Sequence, residues 1–356
     1  MDKNREPAIF DGHNDVLLRL FNMGNKDACH VFLDGDGKGH LDLPRMVKGG
    51  FGGGLFAIYV PSPEDADSDH DEMNNPPFDL KLPAEIPVDE ALPIVLSMAA
   101  TLLRIERESK GRAKICRTAG EVEQCLQSGT LAMVMHIEGA EAIDDDFNAL
   151  EVLYAAGLRS VGPVWSRPTR FAHGVPFRYP GSPDTGAGLS DLGKAFIREL
   201  NRLKMQIDLS HLNEAGFWDV AKLSDAPLVA THSNAHALCA NTRNLTDKQL
   251  SAIGESGGMV GVNFATAFIR EDGKMSADTS IDDMLRHMDH LIDHVGIEGV
   301  GFGSDFDGAT IPRDIGDVAG LVPLRKAMRA HGYDEETMTR LCHGNWVRVL
   351  RKTFGQ

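Results

Sequence analysis

Six side chains able to ligate a cation fall where apolar runs end. His13 and Asp15 close the run Ala8–Val16. Residues two apart in a strand point to the same face, which sets an imidazole beside a carboxylate. Glu138 follows Leu131–Ile137, His211 follows Met205–Leu209, His232 follows Pro227–Thr231, and Asp305 follows Val300–Ser304. Singly these are weak signals, since a strand-end His is more often a hydrogen-bonded core residue and an Asp before a helix more often a cap. Together they make a nitrogen and oxygen donor set without thiolate, which favours Zn²⁺, with Mn²⁺, Co²⁺ or Fe²⁺ conceivable. The donors exceed what one tetrahedral ion uses. A carboxylate bridges two cations with its two oxygens, and Glu138 lies between the flanking sets in strand order. His13 and Asp15 then hold one ion, and His211 and His232 the other. Two ions about 3.5 Å apart lower the pKa of a shared water and polarise a carbonyl. Asp305 is the candidate to take that water's proton and return it to a leaving group. Asp307, just before Gly308, suits a tight turn.

Such donors meet only if the strands carrying them end at one mouth. Two further runs, Leu158–Trp165 and Gly258–Phe264, and the glycine-introduced Gly53–Val60 bring the total to eight. Pro163 sits poorly in a paired strand, which blurs the end of the fourth run. Helical patterning falls at about 88–108, 148–156, 190–203, 214–223, 246–255, 281–295, 333–342 and 345–353. Strand alternating with helix implies parallel strands with crossover helices. Eight units over 356 residues predict a single (β/α)8 barrel covering residues 1–356. Its active site would lie at the C-terminal strand ends. An open doubly wound sheet is the runner-up, although no Gly-rich dinucleotide fingerprint follows the first strand. Two polar stretches, at about 61–86 and 165–188, read as long loops over the mouth.

The chain carries 36 basic and 52 acidic side chains, a formal charge of −16. That field disfavours phosphate backbones and anionic membranes, so neither nucleic acid nor a membrane is expected as a partner. Five scattered cysteines without a C-x-x-C fit a reducing compartment rather than a disulfide framework. No stretch approaches the roughly 18–20 apolar residues of a span. A cytoplasmic location is the expectation.

The motifs His13-Asn14-Asp15, Ile137-Glu138-Gly139, Asp208-Leu209-Ser210-His211, Thr231-His232-Ser233-Asn234, Asn241-Thr242-Arg243-Asn244 and Gly303-Ser304-Asp305-Phe306-Asp307-Gly308 resemble the membrane dipeptidases. That family belongs to the metallo-dependent amidohydrolase barrels, and the resemblance runs in order along nearly the whole chain. It implies a binuclear zinc enzyme that hydrolyses dipeptides, including those with a D-residue at the C-terminal position. It assigns His13, Asp15 and Glu138 to one zinc and Glu138, His211 and His232 to the other. It makes Asp305 the acid/base group and Arg243 the partner of the substrate's terminal carboxylate. A guanidinium fork suits that task. Asp208 is a candidate to orient a ligating imidazole.

Two departures stand out. Where the family usually has a His at the end of strand 4, helping to polarise the scissile carbonyl, this chain has Trp165. An indole donates one hydrogen bond and cannot be cationic. His173 or Arg170 nearby, or Trp165 itself, is expected to supply the contact. The vertebrate members are secreted, disulfide-linked and lipid-anchored; no leader or anchor tail is read here, which points to a soluble bacterial-type relative. Such barrels often dimerise, although no segment marks an interface. The competing readings are hydrolysis of an N-acyl amino acid, a lactam or a cyclic amide, and a metal-stabilised scaffold without activity. A scaffold would lack a ligand or the acid/base residue, and none is missing.

Overall fold

The computed structural model describes residues 6–24, 27–62 and 68–355. Its centre is a set of eight strands: β1 (Ile9–Asn14), β2 (Phe51–Tyr59), β3 (Leu131–Glu138), β4 (Leu158–Gly162), β5 (Gln206–Ile207), β6 (Val229–Ala230), β7 (Met259–Asn263) and β8 (Val300–Gly303). Hydrogen-bonded neighbours run β5-β4-β3-β2-β1-β8-β7-β6. Every pair in that path is parallel. A parallel bridge joins Asp208 to Val229, and the Leu209 N–H donates to the Val229 carbonyl at 2.8 Å. β5 therefore meets β6 and the sheet closes. An order that follows the chain and closes on itself is a (β/α)8 barrel; a doubly wound sheet would reverse order at a switch point.

β5 and β6 are only two residues long. Their expected extensions leave the ladder because a side chain takes over the bonding. Asp208 Oδ1 accepts from the backbone N–H of Ser210 at 3.0 Å and of Thr231 at 2.8 Å. β4 stops at Gly162, before Pro163, which has no N–H to give a neighbour. β2 begins two residues before the expected run Gly53–Val60, within the glycine cluster. A Cβ at Gly53 would stand 2.4 Å from the Ala132 carbonyl oxygen, so only glycine lets β2 lie this close to β3. A ninth strand, Ala113–Ile115, pairs with the first half of β3 and carries no hydrophobic alternation long enough to see in the sequence.

The barrel floor is apolar. Phe10, Leu55, Val134, Val229 and Met259 pack there against Trp346 of the helix Asn345–Phe354. The Trp346 indole N–H donates to the Phe302 carbonyl at 3.0 Å, which satisfies its buried donor. Burying a ring of this size stabilises by roughly 3 kcal/mol. Gly12 makes the fit possible, because a Cβ there would lie 2.5 Å from Trp346 and 2.3 Å from the Thr231 carbonyl oxygen. His13 stands one residue above this plug. A larger apolar layer joins the outer faces of the strands to the helices.

The two long loops meet over the mouth. Phe78–Asp79 pairs antiparallel with Arg178–Tyr179, and the Leu80 N–H donates to the Phe177 carbonyl at 2.8 Å. Met73, Phe177 and Met275 close one side of the resulting cavity. The expected loop at 61–86 includes residues 63–67, which lie outside the described residues. Among the described residues no helix is long and apolar enough to cross a membrane.

Candidate metal centre and active site

β1 loses register with β2 between Asp11 and Asn14. Such irregularities re-aim side chains at barrel rims. Asp15 thereby lies just beyond the strand, at the N-cap position of the helix Val16–Asn22, yet its side chain caps nothing. It turns to His13 instead, with Oδ2 3.2 Å from His13 Nε2. Asp11, kept out of the cluster, accepts from the Ser304 N–H at 2.6 Å and the Ser304 hydroxyl at 2.8 Å, which ties β1 to the loop bearing Asp305.

Glu138, at the end of β3, joins two groups. Its Oε2 lies 3.7 Å from His13 Nε2. Its Oε1 lies 3.1 Å from His211 Nε2 and 3.3 Å from His232 Nε2. The two latter nitrogens are 3.1 Å apart. His13, Glu138 and His232 form one set of convergent ligand atoms, and His13, Asp15 and Asp305 form another, each within 4.8 Å. All five expected ligands are nearly inaccessible to solvent. His211 and Asp305 hold left-handed backbones, φ 67° and 59°, a conformation non-glycine residues adopt mainly where function or surrounding structure enforces it.

Hydrogen bonding decides which nitrogen lone pairs face the centre. The Thr231 hydroxyl donates to Asp208 Oδ2 at 2.6 Å, so at His232 it must accept, and Nδ1 of that ring, 2.8 Å away, carries the proton. Nε2 of His232 then points a lone pair at Glu138. The Ser166 hydroxyl, in the loop after β4, lies 3.0 Å from Nδ1 of His211 and holds that ring in place. Burial pushes both His211 and His232 well below the usual imidazole range, with the Arg243 and His13 charges adding to it. Both are neutral ligands in waiting. His13 differs. Burial alone would lower it, but the Glu138 and Asp15 carboxylates lift it to about 10. Burial, with Asp15 and Asp305 adding to it, raises Glu138 to about 8. Neutral imidazoles and crowded, buried carboxylates aimed at a shared centre are what a divalent cation relieves. The donor set fits such an ion.

Asp305 sits across the centre. Asn263, at the end of β7, donates to its Oδ2 at 3.0 Å. Burial and the neighbouring Asp15 raise Asp305 to about 6. Asp307, in contrast, has φ 66° and turns away to pair with Arg19 at 3.2 Å. Arg243 is buried, with its Nη2 donating to the His232 carbonyl at 3.1 Å. Its guanidinium lies 5.4 Å from the Phe268 ring centre, its Nε has no partner, and burial lowers it to about 10. Among the described residues no carboxylate forms an ion pair with it.

The cavity beside these groups has a volume of about 350 Å³. Asp15, Glu138, His211 and Asp305 line its polar side, while Tyr59, Trp165, Phe177 and Phe268 line its apolar side. Trp165 packs edge-on between Tyr59 and Phe177, with ring centres 5.2 and 5.5 Å away. The structure does not bring His173 here. That side chain is exposed and faces a separate cleft with Leu80 and Arg178, because the Asn213 N–H bonds the His173 carbonyl at 3.1 Å and turns the loop outward. Arg170 is likewise drawn off to Asp145, at 2.5 Å.

Several contributors lay outside the sequence reading. Tyr59 and Asn263 occupy strand ends, and extending the strand-end rule to phenols and amides finds both. Ser166, Arg167 and Glu141 give no such signal. Arg167 bonds Glu141 at 2.7 Å and the Ser62 hydroxyl at 2.8 Å, fully buried, and also donates to the Val60 carbonyl. This pins the segment carrying Trp165 and Ser166 against the end of β2.

The family described as membrane dipeptidase (peptidase family M19) matches residues 4–354. A solved metallo peptidase from Rhodobacter sphaeroides, liganded with a phosphinate mimic of the dipeptide L-Ala-D-Ala, is 59% identical. Its TM-score is 0.96, with 98% of this chain and 100% of that chain covered. A second solved metallo peptidase of family M19, dipeptidase AC, is 58% identical at a TM-score of 0.96, covering 99% and 100%. An uncharacterized protein from the pqqA 5′ region of Klebsiella pneumoniae is 49% identical over 267 residues, 75% of this chain and 98% of that protein. The barrel, the donor set at its mouth and these relatives agree: the chain belongs to the membrane dipeptidase family, peptidase family M19, and is a metallo-dipeptidase.

Proposed function

We propose that this metallo-dipeptidase works with two zinc ions bridged by Glu138 and that its substrates include dipeptides with a D-residue at the C-terminal position. The observation that carries the reading is Glu138 itself, whose two oxygens face different imidazoles on the wall of a small cavity at the barrel mouth. His13, Asp15 and Glu138 would hold one ion, and Glu138, His211 and His232 the other. When bound, such a pair supplies an acidified water and a polarised carbonyl.

The remaining work belongs to the chain. Asn263 fixes one oxygen of Asp305 at 3.0 Å and leaves the other free to receive a proton from the attacking water. With its affinity for protons raised by burial, Asp305 holds that proton and delivers it to the departing amine. Arg243, a buried cation without a carboxylate partner among the described residues, receives the substrate's terminal carboxylate. A longer peptide would place an uncharged amide there, which accounts for selection of dipeptides. Trp165 supplies wall rather than charge, so the aromatic set Tyr59, Trp165, Phe177 and Phe268 selects the substrate side chains. The phosphinate mimic of L-Ala-D-Ala held by the 59% identical Rhodobacter sphaeroides enzyme supports including L,D-dipeptides among the substrates.

The test is kcat/KM of the zinc-loaded protein on L,L and L,D dipeptides, their C-terminal amides, and N-acyl amino acids. The dipeptides, L-Ala-D-Ala among them, should be hydrolysed. Amidation should cost roughly 10–100-fold, the worth of a charge-assisted bond. Faster turnover of N-acyl amino acids than of any dipeptide would overturn the substrate assignment.

A further inference from the structure

A second group of metal-competent side chains lies in the outer helix layer, in no contact with the centre above. His290 and His294 stand one turn apart on the helix Ile281–Val295, the spacing that puts two side chains on one face. Their rings are 4.5 Å apart at 35°. Both present Nε2 to one oxygen of Asp247, the first residue of the neighbouring helix Asp247–Glu255. The distances to Asp247 Oδ1 are 2.7 Å for His290 and 3.8 Å for His294.

This is not an ordinary ion pair or a cap. Thr246 and Gln249 already form the capping box of the Asp247–Glu255 helix, so the Asp247 carboxylate is not needed there. His290 bonds Asp247 Oδ1, while His294 at 3.8 Å stands beyond hydrogen-bond reach of the same oxygen. No other described group bonds the His294 ring. The contrast is one residue away: Asp289 is fully engaged, by His331 at 2.7 Å and the Tyr333 hydroxyl at 2.6 Å. The Asp247 group is open where the Asp289 group is closed. All three of its side chains are partly exposed, which leaves room for water as a further ligand.

We propose that Asp247, His290 and His294 form a second, peripheral site for a borderline divalent cation, Zn²⁺, Cu²⁺ or Ni²⁺, that clips the two helices together. Two imidazoles and one carboxylate match the preference of these ions and disfavour Mg²⁺ and Ca²⁺, which take oxygen. Because the ion binds only where both helices are in place, it adds stability to the folded chain.

The experiment compares the full chain with the His290→Gln/His294→Gln double variant, each equilibrated at micromolar free Zn²⁺ and analysed for bound metal. The wild type should hold one more equivalent per chain, whatever the central site holds. Added after zinc has filled the central site, Cu²⁺ should show an electron paramagnetic resonance signal with nitrogen coupling from two imidazoles, and the double variant should lack it. Asp247→Asn, which keeps the helix cap, should weaken this equivalent roughly tenfold or more, at least the loss seen for outer partners of a metal. Equal zinc content and identical Cu²⁺ spectra in the wild type and both variants would overturn the proposal.

Discussion

The two halves of the central donor set are built on opposite principles. On the β1 side, His13 is lifted to about 10 by Glu138 and Asp15, its Nδ1 has no hydrogen-bond partner among the described residues, and its orientation rests on charge. On the β5 and β6 side, His211 and His232 are neutral, and each Nδ1 is held by a hydroxyl, Ser166 at 3.0 Å and Thr231 at 2.8 Å. Asp208 anchors the second of these through Thr231 at 2.6 Å. One half thus draws a cation through its carboxylates, against a proton on His13, and the other offers neutral imidazoles already held in place. Glu138 touches both with separate oxygens, which lets halves of such different character act on one substrate.

The largest effect should come from the group that serves both halves without holding the cluster together. Asp305→Asn removes the proton carrier but keeps the Asn263 contact. It should retain bound metal while kcat falls about 10²–10⁴-fold. Retained metal with near wild-type turnover would end the acid/base role.

Thr231→Val tests the oriented half alone. It strips His232 Nδ1 of its acceptor and leaves Asp208 an oxygen short of a donor. Sequential zinc-binding constants should show one ion weakened about 10–100-fold and the other unchanged. Equal weakening of both would erase the division drawn between the halves.

The smallest effect, and the one that sharpens the contrast most, is in pH. In the metal-free protein His13, raised to about 10, and Glu138, raised to about 8, hold protons that an arriving cation must displace. His211 and His232, pushed well below 6.5, have none to lose. Zinc affinity should therefore climb as pH rises from about 7 towards 10, with protons released. Calorimetric titration in buffers of different ionisation heat measures that release. No proton release near pH 7 would show that the charged half is not charged.

How far this was legible in the sequence follows the same physics. His13, Asp15, Glu138, His211, His232 and Asp305 could be found because a closed parallel barrel brings every C-terminal strand end to one mouth, so position along the chain stands in for position in space. The closing contact between β5 and β6 was not legible, because Asp208 replaces ladder bonds there and cuts both strands to two residues. Ser166 and the Arg167–Glu141 pair lie in loops, where no periodicity relates sequence distance to contact. His173 shows the same limit from the other side: eight residues from Trp165 in sequence, it is turned away by a backbone bond to Asn213. Trp165 does line the cavity, but from the loop three residues beyond the end of β4 rather than from the strand end itself.

The proposed mechanism needs two ions acting together through Glu138. It is tested most directly by adding zinc stepwise to the metal-free His290→Gln/His294→Gln chain while following hydrolysis of L-Ala-D-Ala. Activity should lag through the first equivalent and reach its plateau at the second. A plateau at one equivalent would contradict the bridged pair.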